Sequence, residues 1–448
     1  MEKKRSGKEI SRRRFLTSAA AVGTGLAISP RALGQAGEKN SEEINAGLLG
    51  AGDQGLILLT TALKIPGIRF KAVCDIWTDY NQARASRTLS VYGHEHNAYV
   101  DYRDMLDKEK DLDAVIVATP DFWHAEHTVA CLKAGLHVYC EAPMSNTLEG
   151  ARNMVRAAKQ TGKLLQIGHQ RRSNPRYTHC CEKLLREVRL LGKITAANAQ
   201  WNRPVQPDRG WPRRAPMEET SLKEYGFHSM QQFRNWPWYK ALGSGPVVGG
   251  GSHQIDVFNW FLGAPPRSIM ASGGTDYYDK KTHEWYDAAM VIYEYEVRHG
   301  TVRAFYQAIT SNSSNGHFEQ FLGDQGTLFT SEASVRDRVY REPSAPNWGG
   351  WVRLGFLEQP VEKEQEEQSE EAIDVTETVE PPSYRLPVKS NEPSHKPHLE
   401  NFFNAIRGEV TLNCPAETGY ETAVTVLKIN EAVEAARKLS FKPGEFLA

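Results

Sequence analysis

The sequence predicts an α/β chain whose N-terminal half is a doubly wound parallel sheet. Three observations carry that reading. Short apolar runs alternate with helical stretches between Ile44 and Ile167, the first of these units contains a strand, a glycine turn and a helix in immediate succession, and the pattern changes to β-rich hairpin runs in the second half. Ile44–Leu49 reads as a buried strand that feeds into Gly50-Ala51-Gly52-Asp53-Gln54-Gly55 and then the helical stretch Leu56–Leu63. A second strand, Phe70–Cys74, ends in Asp75, about 20 residues past the last glycine, the spacing of a dinucleotide-binding unit.

Glycines at these positions permit a tight turn and bring a pyrophosphate close to a helix N-terminus, where unpaired N–H groups favour negative charge. Asp75 is placed to accept hydrogen bonds from an adenine-ribose 2′-hydroxyl and to repel a 2′-phosphate. The residues after it, Ile76 and Trp77, supply no cation, so NAD is expected rather than NADP. Alternation continues through Ala114–Ala118, Ala125–Ala134, His137–Cys140, Leu148–Lys159 and Leu164–Ile167. Ligands of such sheets lie beyond the C-terminal strand ends, which selects three rim segments. They are Thr119-Pro120-Asp121, Glu141-Ala142-Pro143 and Gly168-His169-Gln170-Arg171-Arg172.

In the second half, Asp287–Val297 and Thr301–Thr310 read as a hairpin around His299-Gly300, and Phe318–Phe329 as a strand pair turning at Gly323–Gly326. Helices are expected again only at the end, in Pro397–Ile406 and Glu417–Lys438.

The 448 residues carry 54 Lys+Arg against 55 Asp+Glu, a formal net charge of −1. That near-balance conceals two segments. Residues 1–34 hold eight basic and two acidic groups, whereas 358–380 hold ten carboxylates and one Lys. Residues 358–382 therefore read as an acidic loop or disordered insert. The rest is close to neutral and offers no field for a polyanion, so neither nucleic acid nor, after processing, a membrane is expected as partner. Ser11-Arg12-Arg13-Arg14-Phe15-Leu16, a mild apolar run to Ile28 and Ala32-Leu33-Gly34 have the order of an export signal. Residues 1–34 are read as a twin-arginine signal, cleaved after Gly34 or Ala36, with the export machinery as partner and the periplasm or another exported location as destination. Such a route carries folded proteins, so a cofactor loaded before export is expected. The six cysteines lack the dense spacing of a disulfide scaffold and are expected as free thiols.

Several motifs together resemble the Gfo/Idh/MocA family, which includes glucose–fructose oxidoreductase and inositol dehydrogenase. They are Gly50–Gly55, Asp75, Ala118-Thr119-Pro120 with His124, Cys140-Glu141-Ala142-Pro143-Met144, Gln170-Arg171-Arg172 and Gly251-Ser252-His253-Gln254-Ile255-Asp256. The resemblance implies a Rossmann domain over 44–168 and an α+β domain over 169–441 with a large, mainly antiparallel open sheet that often joins subunits. A homo-oligomer follows as an expectation. It also implies a cofactor site built from Gly50, Gly52, Asp53, Gln54, Gly55, Asp75, Ile76, Thr119, Pro120, His124, Glu141 and Ala142. Family dehydrogenases carry a lysine where this chain has Ala142, and an acid where it has Gly249. His253 is left as acid or base, an imidazole being able to act alone near neutral pH.

Asp256 lies three residues on, spaced to orient or polarise His253 on one helix face, or equally to serve as a structural carboxylate near the helix N-terminus. Trp236 and Tyr239, within an aromatic and arginine-rich segment, suit sugar C–H faces, while Arg171 and Arg172 suit a polyhydroxy or anionic substrate. His124 and His127 are spaced to chelate on a helix, but no further ligand converges and no metal is expected. The expected function is NAD-dependent oxidation of a sugar or sugar derivative with tightly held cofactor. Two other readings stand beside it. One is an NAD-dependent glycoside hydrolase working by transient oxidation, elimination, hydration and re-reduction, and the other is a non-catalytic sugar or NAD sensor.

Overall fold

The computed structural model describes residues 43–333, 336–361, 381–389 and 392–448. The twin-arginine segment and most of the acidic stretch 358–382 lie outside the described residues.

Strand β1 (Ile44–Leu49) is apolar and buried at nearly every position, as a strand covered on both faces must be. Helix α1 (Asp53–Ala62) begins at the second glycine rather than at Leu56, with Asp53 in its first turn, where the helix dipole favours a carboxylate. Gly50 has φ +91°, and a Cβ on Gly55 would lie 2.0 Å from the Gly50 carbonyl oxygen, so the turn is closed to larger residues. There follow β2 (Ile68–Cys74), α2 (Ala83–Val91), β3 (Asn97–Tyr99), α3 (Tyr102–Lys108), β4 (Ala114–Val117), α4 (Asp121–Lys133), β5 (His137–Cys140), α5 (Leu148–Thr161) and β6 (Leu165–Ile167). The strands form a parallel sheet of order β3-β2-β1-β4-β5-β6, reversing direction at β1, where dinucleotides bind such sheets. Edge strand β3 has no apolar run to betray it in sequence and is exposed or half-buried throughout.

After the short helix α6 (Pro175–Thr178) and a π-helical stretch, His179–Glu187, the second sheet begins with β7 (Ile194–Asn202). Then come α7 (Glu219–Glu224), α8 (Met230–Arg234), α9 (Pro246–Leu262), β8 (Pro266–Gly274), β9 (Ala288–Val297), β10 (Gly300–Ile309), β11 (His317–Gly323), β12 (Gly326–Thr330) and β13 (Arg338–Arg341). The chain closes with α10 (Gly349–Arg353), β14 (Ser383–Tyr384), α11 (Lys396–Ile406), α12 (Ala416–Ala435) and β15 (Leu439–Ser440). This sheet has the order β14-β13-β12-β11-β7-β10-β9-β8-β15 and is antiparallel except for the β7–β10 pair. Both predicted hairpins occur, β9–β10 and β11–β12.

Helices do not wait for the chain end, as the sequence suggested, because α9 runs through Gly249-Gly250-Gly251. Three glycines are the poorest helix formers short of proline, and here tertiary contact overrides them. A Cβ on Gly250 would lie 2.8 Å from the Trp201 indole, and one on Gly251 2.8 Å from the Tyr306 hydroxyl, so these two let the helix approach the sheet. Gly249 has no heavy atom within 4 Å of such a Cβ. Gly249→Ala is therefore expected to stabilise the protein by about 0.5–1 kcal/mol, while Gly250→Ala displaces Trp201 and destabilises it. Denaturant midpoints of the two variants check that opposition.

The C-terminal helices return to the first sheet. α11 lays Leu399, Phe402 and Phe403 into the core shared by β1, β2 and α1, and the Ile167 N–H donates to the Cys414 carbonyl at 3.0 Å. A third apolar cluster forms where the segment between β7 and α9 crosses the mouth of the first sheet. Leu222, Phe227, Met230 and Leu242 enclose Trp77, whose indole N–H donates to the Ala215 carbonyl at 2.8 Å. All six cysteines are buried and unpaired. No helix among the described residues is long and apolar enough to cross a membrane.

Candidate active site

A cavity of about 580 Å³ is lined by the glycine turn, the ends of β4 and β5, the segment after β7 and the first turns of α9. At its nucleotide end Asp75 is buried and accepts from the Ala51 N–H at 2.7 Å and the Trp77 N–H at 2.8 Å, with the Asn81 amide at 3.4 Å. The carboxylate thus holds the glycine turn in place as well as facing the cavity. Glu141 accepts from the Gln54 amide at 2.9 Å, and the same amide meets His395 at 3.1 Å, so the β5 rim, α1 and the approach to α11 are tied together. Gly50, Gly52, Asp53, Ile76, Thr119, Pro120 and Ala142 also line the cavity, and Gly55 stands behind it against Gly50. A glycine turn at a helix start, an acidic residue at the next strand end and a connecting groove fit a dinucleotide.

Burial raises the Asp75 pKa to about 6, although the N–H groups of Trp77 and Ala51 oppose the shift. The charged form is the one with acceptor capacity to spare for ribose hydroxyls. As pH falls through about 6 the group takes up a proton and loses it, so NAD affinity is expected to weaken below that pH, by up to about tenfold per unit. Calorimetric titration of stripped protein at stepped pH tests this, and Asp75→Asn should flatten the dependence.

The site residues expected from sequence divide. His253 lines the cavity near the face of Trp201, ring centroids 6.1 Å apart and 20° from parallel. Burial, then the cations of Arg171 and the ring of His169, push its pKa well below the ordinary imidazole value, so it stands neutral and able to accept a proton. Trp236 lines the cavity, with Trp238 and Tyr278 beside it. Tyr239 does not, and packs instead against the apolar cluster around Trp77.

Three expectations need correction. Asp256 does not orient His253. Its carboxylate points the other way, receiving the Arg172 guanidinium at 2.9 Å, the Thr422 hydroxyl at 2.9 Å and His169 Nδ1 at 3.3 Å. Burial would raise its pKa, but Arg172 and His169 overcome this and hold it below the usual carboxylate range. Arg172 is spent on that pair, and Arg171, 1% exposed, lies between Glu319 and Glu332, so neither guanidinium is offered to a substrate. Both were placed on the rim by position after β6, which does not reveal that the acids of β11 and α9 reach back to them. His124 has Nδ1 2.9 Å from the Pro143 carbonyl and Nε2 2.7 Å from that of Thr119. Burial lowers its pKa, and a neutral ring donates to only one of these carbonyls at a time, but both nitrogens face the backbone of the two rims.

Two further residues of the lining carry no site role in the sequence reading, Asp121, which that reading places only in a rim segment, and Tyr278, which it does not name. Asp121 accepts from the Ser244 N–H at 3.0 Å and hydroxyl at 2.6 Å, and burial raises its pKa to about 6. Its place directly after Thr119-Pro120 is the signal that points to it. Tyr278 comes from the β8–β9 connection and has no such local mark. His169, Asp256 and Cys414 are the group of described residues whose ligand atoms approach one another, within 4.8 Å. The adjacent Arg172 cation and a thiol whose pKa burial raises make it an ion cluster rather than a metal cage.

A parallel sheet with a glycine turn at its reversal point, opening on an aromatic cavity whose lining includes the neutral imidazole of His253, defines the class: an oxidoreductase fold built to hold a dinucleotide. The chain belongs to the Gfo/Idh/MocA family. Residues 44–169 match its oxidoreductase NAD-binding Rossmann fold and residues 191–441 its C-terminal alpha/beta domain. Among curated relatives, a glycosyl hydrolase family 109 protein from Shewanella sp. (strain ANA-3) is 34% identical over 125 residues, 27% of each chain. An inositol 2-dehydrogenase from Rubrobacter xylanophilus is 28% identical over 236 residues, 52% of this chain and 56% of that one. The matches thus span from about a quarter to just over half of these relatives. The WlbA dehydrogenase from Bordetella pertussis, solved with NADH and UDP-GlcNAcA, shares the fold with a TM-score of 0.64 at 17% identity, over 90% of this chain and 98% of that one.

Proposed function

We propose that the protein is an NAD-dependent oxidoreductase acting on a hydroxyl of a sugar or sugar derivative, with a cofactor that stays bound through the cycle. The observation that carries this reading is the joining of the glycine turn and His253 in one cavity, roofed by the segment between β7 and α9. Bound NAD supplies hydride acceptance and return. The chain supplies the rest. His253, neutral and half-buried, takes the hydroxyl proton, Trp236 and Trp238 offer flat faces to the C–H side of the ring, and the roof limits entry of water.

Glycoside cleavage is the second reading, and the missing ammonium at Ala142 favours it. In that cycle a hydroxyl carbon becomes a ketone, the neighbouring C–H is acidified, the glycosidic bond is eliminated, water adds and the ketone is reduced back. No external oxidant is consumed, which would suit the exported location expected from residues 1–34. Purified protein is to be analysed for co-purified NAD and then offered free sugars and aryl glycosides. NADH accumulation or sugar-for-sugar exchange supports the first reading, and aglycone release without net NADH supports the second. Bound NAD with turnover of neither class of compound would leave a sensor.

A further inference from the structure

Every acid that lines the cavity is already engaged. Asp75 holds backbone N–H groups, Glu141 holds Gln54, Asp121 holds Ser244, Asp53 meets Arg84 at 3.4 Å and Arg209 at 3.9 Å, and Asp208 accepts from Gln231 at 2.6 Å. Two arginines of the same lining, Arg203 and Arg234, have no such acid, but Arg234 donates to the Gly210 carbonyl at 3.0 Å and lies over the Trp77 ring. Arg203 follows directly on β7, and its backbone N–H is anchored on the Ile309 carbonyl at 2.8 Å. Its guanidinium lies 4.7 Å from the centre of the Trp201 ring, the ring that also stacks with His253. Among the described residues no carboxylate comes within ion-pair distance of Arg203. Its side chain is exposed at the cavity mouth, where partial desolvation and then the nearby cation of Arg209 disfavour its charge.

An arginine fixed at a cavity wall without a counter-charge leaves a planar, five-donor fork directed at whatever enters. We propose that Arg203 binds a carboxylate carried by the substrate, and that the natural substrate is an acidic sugar of the uronic acid type. A guanidinium held 4.7 Å from the centre of an indole ring keeps an N–H edge for bidentate pairing, and a carboxylate matches that edge better than a hydroxyl does. The stacking places this edge on the same ring system as His253, so that pairing with the acid group and presentation of a ring hydroxyl to the imidazole are set by one side chain, Trp201. The inference rests on the sugar-oxidising reading of this cavity and narrows it.

The test uses the NAD-loaded protein and matched pairs: glucose with glucuronate, galactose with galacturonate, and aryl glucoside with aryl glucuronide. Tryptophan fluorescence reports binding directly, since Trp201 underlies the site, and initial rates report turnover. Glucuronate is expected to bind at least about tenfold more tightly than glucose. Arg203→Met should weaken glucuronate binding by roughly ten- to hundredfold, mainly through KM where there is turnover, with a penalty at least tenfold larger than for the neutral partner. Arg203→Lys should restore part of the loss. Equal binding of acidic and neutral sugars, equal loss of both in Arg203→Met, or loss of co-purified NAD from that variant would overturn the assignment, the last result transferring Arg203 to the cofactor. Tighter binding of sugar sulfates or phosphates than of glucuronate would also overturn it. If glucuronate bound in an Arg203-dependent way but no compound turned over, the acid subsite would stand and the oxidoreductase reading would fall.

Discussion

His253→Ala is expected to lower kcat by about two to four orders of magnitude while leaving the protein folded and loaded with NAD. The size follows from the position. Ala142 offers no ammonium and Gly249 no carboxylate, so among the acid/base groups the family resemblance implies, His253 alone remains to take the hydroxyl proton. Retention of NAD follows because the turn at Gly50–Gly55 and the Asp75 clasp are held by contacts that do not involve the imidazole. Since His253 has its pKa depressed well below the ordinary value, the wild-type rate with saturating cofactor should show no loss as pH falls through about 6.5. Full activity in the variant would refute the assignment, and a fall in bound NAD equal to the fall in rate would make the residue structural. His253→Gln, which keeps shape and polarity, controls for collapse of the cavity wall.

Asp256→Ala should produce the largest loss of stability of any single change in the site region, about 3–5 kcal/mol. It strands Arg172 and removes the partner of His169 and of Thr422 in a place that water does not reach. The cost comes from the charge left behind. Replacing Asp256 and Arg172 together by Met should therefore cost less than Asp256→Ala alone, a difference that guanidinium unfolding of NAD-free protein can read. The sign with pH is also set. Asp256 has a folded pKa below its unfolded value, so its contribution is present above about pH 4 and is lost as pH falls below that. A variant as stable as wild type would show that the ion cluster contributes nothing.

Much of this was readable in advance because the first sheet obeys local rules. A buried parallel strand is a short apolar run, and a dinucleotide turn must be glycine where the chain doubles back on itself. The strands from β1 to β6 announce themselves that way, except β3, which is short, polar and exposed. The aromatic and arginine content of the segment after β7 suggested a binding surface, yet only the fold shows that Trp236 faces the cavity and Tyr239 does not. The failures concern partners distant in sequence. Nothing local to Arg171 discloses Glu319, and the three-residue spacing of His253 and Asp256 gave no warning that Arg172 and His169, more than 80 residues earlier, claim the carboxylate. The absence of a cation after Asp75 was likewise a local observation, and Arg234 lies 5.3 Å from the centre of the adjacent Trp77 ring.

The placement of α11 bears on how the protein is made. Leu399, Phe402 and Phe403 are completely buried against strands and a helix that precede them by more than 300 residues. The nucleotide-binding sheet therefore stays open on one side while the second sheet is being synthesised, roughly 20–70 s at ordinary elongation rates. During that interval the apolar face of β1 and α1 has no native cover, and a nascent chain stopped anywhere before Leu399 ends with it bare. Order of synthesis and order of completion are thus inverted: the first sheet to emerge from the ribosome is finished by nearly the last helix.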